Sequence, residues 1–298
     1  MIKFSAPQRV WDIGGIKIGG NPGERPIVLV GSIFYLGHRI IENSGVFRFN
    51  KNEAVKLLNA QDSLSDKTGN PAMIDLIISS PEAVESEISF TVENTDSPIL
   101  LDAVGLETKA KALQYIYETG LQNKIIYNSV NLKTSPEEFK MIKDSGVTAA
   151  ILLAYSSDAF TSTKRFENIS KLIDLTSDFI TKPLLDTYIL DIPSLGMACK
   201  AMLRLKNVLG LPVGGGTENA VATWKGLASK FGGESKNSCI SGAAVMAACF
   251  GADFILYGPI ERCGYVFPAV AMVDAAIQQA AIEEGVKPNR SLPLFKIG

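Results

Sequence analysis

The sequence predicts a closed (β/α)8 barrel of the α/β class, and three observations carry that prediction. Eight short apolar runs follow one another along 298 residues, each separated from the next by a helical pattern. The runs are continuous rather than alternating, as strands buried on both faces should be. No linker or low-complexity break interrupts them, so a single domain over 1–298 is expected. A doubly wound open sheet is the alternative, but eight units favour closure.

The elements follow in order. Val10-Trp11-Asp12-Ile13-Gly14-Gly15-Ile16-Lys17-Ile18 reads as a small hairpin turning at Gly14-Gly15, an N-terminal extension within 1–26. Strands are expected at 27–31, 73–78, 99–102, 125–128, 149–154, 184–186, 211–214 and 254–257. Leu106, Ala110, Leu113 and Tyr117 step by three or four residues, as do Phe166, Ile169, Ile173 and Thr176, which marks two amphipathic helices. Ser135-Pro136-Glu137-Glu138 combines an N-cap, a proline at the first helical position and a capping-box glutamate. Ser80-Pro81-Glu82 repeats the first part of that signal before a helix at about 82–92. Two connections are long: 32–50, with Phe34, Tyr35, His38 and Arg39, and 214–254, where an extra helix is expected after Gly232-Gly233. Long loops on the catalytic face of a barrel are where substrates are gripped.

Composition narrows the chemistry. A formal net charge of -2 and the lack of a Lys/Arg cluster give no reason to expect a nucleic-acid partner. Met1-Ile2-Lys3-Phe4-Ser5-Ala6-Pro7 has no apolar signal core, and the stretches 149–154 and 269–282 are too short or too polar to span a bilayer. A soluble, cytoplasmic protein without direct membrane insertion is therefore expected. Cys199, Cys239, Cys249 and Cys263 form no CxxC pair and read as small buried hydrophobes. His38 is the only histidine, so neither an intrinsic zinc site nor a Ser-His-Asp triad is expected.

Three short polar side chains close apolar strands: Asp102, Asn128 and Asp186. In a parallel barrel the C-terminal strand ends share the face where active sites are built. Helix caps and turns also favour Asp and Asn, but three on one barrel face are less easily assigned to capping. Two carboxylates and an amide there make a hydrogen-bonding socket for a flat, nitrogen-rich ring such as a pterin. A carboxylate accepts in pairs from its amine and ring N–H, and an amide serves the mixed donor–acceptor edge.

Several stretches carry a family resemblance: Phe34-Tyr35-Leu36-Gly37-His38, Ser65-Asp66-Lys67-Thr68-Gly69-Asn70-Pro71, Ile126-Tyr127-Asn128-Ser129-Val130-Asn131, and Leu211-Pro212-Val213-Gly214-Gly215-Gly216 continuing through Thr217-Glu218-Asn219-Ala220-Val221-Ala222-Thr223-Trp224. With these the chain resembles the H subunit of tetrahydromethanopterin S-methyltransferase and its bacterial relatives, tetrahydrofolate:corrinoid-protein methyltransferases. They are similar in turn to the wider pterin-binding barrels, which include dihydropteroate synthase. The resemblance implies a pterin-binding barrel that moves a methyl group between N5 of tetrahydrofolate, as substrate, and a corrinoid (methylcobalamin) supplied by a partner protein. It implies that Asp186 accepts from the pterin amine and ring N–H. Asp102 and Asn128 would bond other ring nitrogens and place a proton near N5, which Asn219 would reach as a mobile amide. Gly214, Gly215 and Gly216 would admit ligand close to the backbone.

Other residues complete the reading. Archaeal members often carry His where Glu218 stands, which tilts the expected carrier from tetrahydromethanopterin toward tetrahydrofolate. Arg262 is placed to meet a glutamate tail or a carrier phosphate. Asp66 and Asn70 belong to a structural turn on the opposite face. A homodimer through the outer helices, with Met197, Met202 and Phe250 as candidate contacts, would leave the mouth open, with Tyr35 and Arg262 exposed to the corrinoid protein. A tetrahydromethanopterin methyltransferase subunit, a dihydropteroate-synthase-like condensing enzyme and a non-catalytic pterin-binding subunit are the alternatives.

Overall fold

The computed structural model describes residues 3–43, 48–287 and 289–298. Eight strands pair in parallel and close on themselves: β1 (Val28–Ile33), β2 (Ala72–Ile78), β3 (Ile99–Ala103), β4 (Ile125–Val130), β5 (Ala149–Leu153), β6 (Lys182–Asp186), β7 (Val213–Gly216) and β8 (Phe254–Pro259). Helices α1 (Lys51–Thr68), α2 (Val84–Asn94), α3 (Leu106–Thr119), α4 (Pro136–Ser145), α5 (Ser162–Thr176) and α6 (Ile192–Leu209) follow the first six strands. Two five-residue helices, α7 (Glu218–Ala222) and α8 (Leu227–Phe231), precede α9 (Ser235–Cys249), and α10 (Cys263–Glu283) follows β8. Every expected strand is present. The helix after Gly232-Gly233 is the crossover α9 itself, and the extra helices are α7 and α8, a correction to the expected order. Residues 44–47 of the 32–50 connection and residues 1–2 lie outside the described residues; around 44–47, Ile41–Asn43 pairs antiparallel with Arg48–Phe49.

The apolar residues sort into two shells. One lies between sheet and helices; the other fills the barrel and includes Val28, Val30, Met73, Leu100, Ile126, Ile151, Leu184 and Phe254. Ile13 and Ile18 of the N-terminal hairpin (Val10–Ile13, Ile16–Gly19) join that interior shell, and Trp11 Nε1 donates to Pro183 O at 2.9 Å. The hairpin thus closes the N-terminal mouth of the barrel and leaves the other end open. On that closed face Asn70 Nδ2 donates to Ile27 O at 2.9 Å and to Asp274 at 2.6 Å, tying α1 and α10 to the start of β1.

Three local expectations change. Ser135 Oγ accepts from Glu138 N at 3.1 Å, but the Glu138 carboxylate turns to Lys109 (2.8 Å) and Tyr127 OH (2.7 Å), so the capping box is half made. A buried acceptor for a tyrosine outcompetes the helix terminus. Ile260–Glu283 is one helical stretch long and apolar enough to cross a membrane by length and composition, unlike the shorter 269–282 reading. Its apolar residues Val266, Phe267, Val270 and Ala271 are fully buried in the core between α9 and α1, which accounts for that composition. Cys249 is exposed rather than buried, while Cys199 and Cys263 are buried as small hydrophobes.

Candidate active site

The site is built by strand periodicity. Side chains two residues apart share a strand face, so the inward apolar layer continues upward into polar side chains: Val30 to Ser32, Met73 to Asp75, Leu100 to Asp102, Ile126 to Asn128 and Leu184 to Asp186. Register sets Ser32 beside Asp75, Ile77 beside Asp102 and Asp186 beside Gly214. The dry interior therefore carries a polar layer at the C-terminal strand ends.

A cavity of about 360 Å³ opens there, lined by Ser32, Tyr35, Asp75, Asp102, Asn128, Gly216, Glu218 and Asn219 among others. Asp75 is its hub. It accepts from Ser32 Oγ at 2.7 Å and from Asn128 Nδ2 at 3.0 Å. Burial pushes its pKa above the usual carboxylate range, with both hydrogen bonds opposing. Burial, and then the neighbouring Asp75 charge, raise Asp102 to about 7 against the pull of Lys109. Asp102, with a proton available near neutrality, stands beside the Asp75 carboxyl and its amide and hydroxyl partners, a group that can accept from a ring N–H edge and also exchange a proton with it.

Of the expected site residues, the structure brings Asp102, Asn128, Gly216, Asn219 and Tyr35 to this cavity. Asp186 is buried beside it, and a Cβ added at Gly215 would stand 3.2 Å from Asp186 Oδ1. Burial raises Asp186 to about 6, opposed by the Tyr188 amide, which donates at 2.7 Å, and by Arg165. Gly214 has a packing reason of its own: a Cβ there would overlap Phe254 O. Asp75 and Ser32 were not anticipated. Asp75 sits inside an apolar run rather than at its end, yet it stands in phase with inward-facing Met73, and that parity was the available signal.

The rim is tied down. Arg262 pairs with Glu218, both mostly shielded, and Gly258 (φ 81°) leaves room for the Glu218 side chain. Tyr35 stacks on buried His38 at 4.3 Å and donates to Glu261 at 3.1 Å. His38 Nδ1 accepts from Phe34 N, so its Nε2 proton faces Glu261 Oε1 at 3.1 Å. Burial would raise Glu261, but hydrogen bonds from His38, its own backbone and Tyr35 outweigh that and hold it down to about 2. Tyr35 and Arg262 are thus half-buried members of acidic pairs, a correction to their expected exposure. Among the described residues no group of three or more His, Cys, Asp or Glu side chains is placed to hold a metal ion.

Comparison with known proteins bears on family and fold. The profile of the family described as "Tetrahydromethanopterin S-methyltransferase MtrH subunit" matches residues 6–289. The chain is 36% identical to the H subunit of tetrahydromethanopterin S-methyltransferase from Methanopyrus kandleri, over 95% of this chain and 94% of that one. It is 33% identical to the H subunit of the putative methyltransferase mtx from Methanosarcina mazei, over 99% of each. Among solved structures, dihydropteroate synthase from Yersinia pestis superposes with a TM-score of 0.62 at 15% identity, covering 92% of this chain and 100% of that one. The Vibrio fischeri 7,8-dihydropteroate synthase gives 0.61 at 16% identity, covering 94% and 100%. At such identities the likeness is one of fold alone.

Proposed function

The chain belongs to the MtrH family of tetrahydromethanopterin S-methyltransferase subunits, and from that premise we propose that it moves a methyl group between N5 of a tetrahydropterin and a corrinoid carried by a separate protein. The observation that carries this reading is the buried Ser32–Asp75–Asn128 network with Asp102 at its side, in a cavity of about 360 Å³. The corrinoid partner would supply the cobalt that accepts or donates the methyl group.

This chain's residues bind, orient and move a proton. Asp75 and Asn128 accept and donate along the ring edge, and Asp186 accepts from the pterin amine across the space that Gly215 leaves open. A tertiary amine is a poor leaving group, so demethylation of the pterin needs N5 protonated or nearly so. Asp102, near 7, is the proposed source of that proton, and Asn219 the amide that steadies N5. In the opposite direction the same group receives the proton and N5 is presented bare.

Tetrahydrofolate is the proposed carrier, because Glu218, paired here with Arg262, stands where the resemblance implies His in archaeal members. Tetrahydromethanopterin, which appears in the names of the relatives, is the second reading. A condensing enzyme would want a cation for a pyrophosphate, and Arg262 is already engaged by Glu218. We also propose a cytoplasmic homodimer that leaves the mouth open. Met197 is accessible on α6 for such a contact, whereas Met202 is fully buried and drops out.

The test is direct: purified chain and methylcobalamin with either tetrahydropterin, followed by cobalamin absorbance. Methyl transfer to tetrahydrofolate is expected, with loss in Asp75→Ala. Transfer only to tetrahydromethanopterin would select the second reading. No transfer to either, with a corrinoid protein also supplied, would leave a pterin-binding subunit.

A further inference from the structure

Glu138 forgoes the cap of its own helix, and what it holds instead lies on the outer side of the barrel wall, behind Asp102. Its carboxylate accepts from Lys109 Nζ at 2.8 Å and from Tyr127 OH at 2.7 Å. We propose that Lys109, fixed by this clamp, is a positioning residue for proton transfer at Asp102, acting from behind the β3–β4 seam without touching the ligand. The inference rests on the methyl-transfer reading and deepens it.

Position is the first argument. A helical side chain leans toward the N-terminus of its helix. Lys109 stands in the first turn of α3, so it leans back toward the end of β3, where Asp102 is. The register sets Leu101 beside Tyr127, which makes Asp102 and Asn128, the next residues along, neighbours at the mouth. Tyr127 is buried on the outer face of β4, and Lys109 Nζ lies 5.7 Å from its ring centroid. One strand therefore carries the inner network through Asn128 and the outer one through Tyr127.

Charge is the second argument. The Lys109 and Glu138 side chains are only 21% and 10% exposed. Desolvation offsets most of the attraction in such a pair, so stability alone is a poor reason for it. Burial, and then the hydrogen bond to Glu138, hold the Tyr127 hydroxyl far above its ordinary range, so it donates and carries no charge. Among the described residues the ionisable groups that act on Asp102 are Asp75 on β2, Lys109 on α3 and Tyr127 on β4. Glu218 and Tyr35, which share the cavity, are engaged by Arg262 and Glu261. Asp75 works against ionisation of Asp102, and Lys109 works for it. Methylation of tetrahydrofolate forms the N5–carbon bond, leaves the cobalt–carbon electron pair on cobalt and releases the N5 proton. A charged Lys109 keeps Asp102 ready to take that proton at neutral pH.

The test reads pH dependence, which a merely structural role would not move. With methylcobalamin and tetrahydrofolate, kcat/KM of the wild type should rise through a midpoint at about 7, the value of Asp102 in the free protein. Lys109→Met should move that midpoint up, so that transfer falls about threefold or more at pH 6.5 and recovers by pH 9. Lys109→Arg should keep the wild-type profile. Lys109→Met with Glu138→Gln strands no charge and keeps an acceptor for Tyr127, so it should show the same change even if the single variant unfolds. Carbon-13 NMR of the Asp102 carboxyl in the ligand-free protein, assigned with Asp102→Asn, should show the midpoint displaced by about half a pH unit or more. An Asp102 midpoint unchanged in the charge-free variants overturns the role of Lys109 while the methyl-transfer reading stands. A rate lowered equally at every pH, and not restored by Lys109→Arg, also overturns it and leaves a packing role. A wild type that transfers no methyl group to either tetrahydropterin overturns the methyl-transfer reading, and with it the step that Lys109 serves, even where the NMR displacement is found.

Discussion

Asp75 shows how one strand position acquires chemistry. Two donors reach its carboxylate, yet burial dominates and the group holds its proton more tightly than in water. Asp102, one strand away, then faces both burial and that neighbour, and reaches about 7. The sign for stability follows. A carboxyl whose folded pKa is raised favours the fold fully below its unfolded value near 4, and that contribution is lost as pH rises through 7. Asp102→Asn, which cannot ionise, should therefore gain on the wild type between pH 4 and 7 and keep a level advantage above, on the order of 2–4 kcal/mol at most. Melting curves at pH 5 and 8 measure it, and methyl transfer should fall at both. An equal melting difference at the two pH values would contradict the assigned titration. Asp186→Ala should weaken pterin binding at least tenfold, about 1.4 kcal/mol, by loss of a charge-assisted pair. Unchanged calorimetric affinity would remove Asp186 from the socket. Asp102, Asn128 and Asp186 were legible as polar ends of apolar runs. Asp75 was hidden because a run of Ala, Met, Ile and Leu around it reads as pure core unless facing is counted residue by residue.

At the scale of elements, the β7–α7 segment concentrates the constraints. Gly214 lets β7 approach β8 so closely that Phe254 O occupies the Cβ position. Gly214→Ala should cost at least about 2 kcal/mol by urea unfolding, because backbone rather than a flexible side chain must move. A change below about 0.5 kcal/mol would show that the sheet yields there. Farther along, Arg262 holds Glu218, and Glu218 opens the short helix that carries Asn219. Arg262→Gln should slow methyl transfer several-fold with little change in melting, since the pair positions α7 rather than the core. An unaltered rate constant with weaker pterin binding would instead place Arg262 on the ligand. The sequence made the eight strands readable because apolar runs of four to seven residues between amphipathic helices have few other uses. It misplaced β7 by two residues, since Leu211-Pro212 is apolar but lies before the ladder, while Gly215 and Gly216 look like a turn and are strand. Helices of five residues, α7 and α8, are too short to show a period, so only the loop length announced them.

Across the whole molecule, raised carboxyls sit at several depths. Asp102 and Asp186 face the open mouth, Asp274 lies near the closed face with its pKa at about 7, and Glu87 on α2 is driven by burial alone to about 9. Both Glu87 oxygens are buried without a hydrogen-bond partner among the described residues. Each group binds its proton more tightly folded than unfolded, so each withdraws stability as pH climbs from about 4 to its own folded value. Glu261 acts oppositely: held down to about 2, it adds stability above its unfolded value and gives it up only as pH falls toward 2. On these groups the stability of the ligand-free protein is highest near pH 4 and declines from there toward pH 9. Glu87→Gln isolates the alkaline part of that decline, because Asp102, Asp186 and Asp274 are almost fully ionised by about pH 8 and Glu87, at about 9, is not. Calorimetric melting at pH 6, 7.5 and 9 should show the variant gaining on the wild type at each step. Parallel curves for the two proteins would mean that Glu87 finds a partner or solvent once ionised, and that the alkaline loss arises elsewhere.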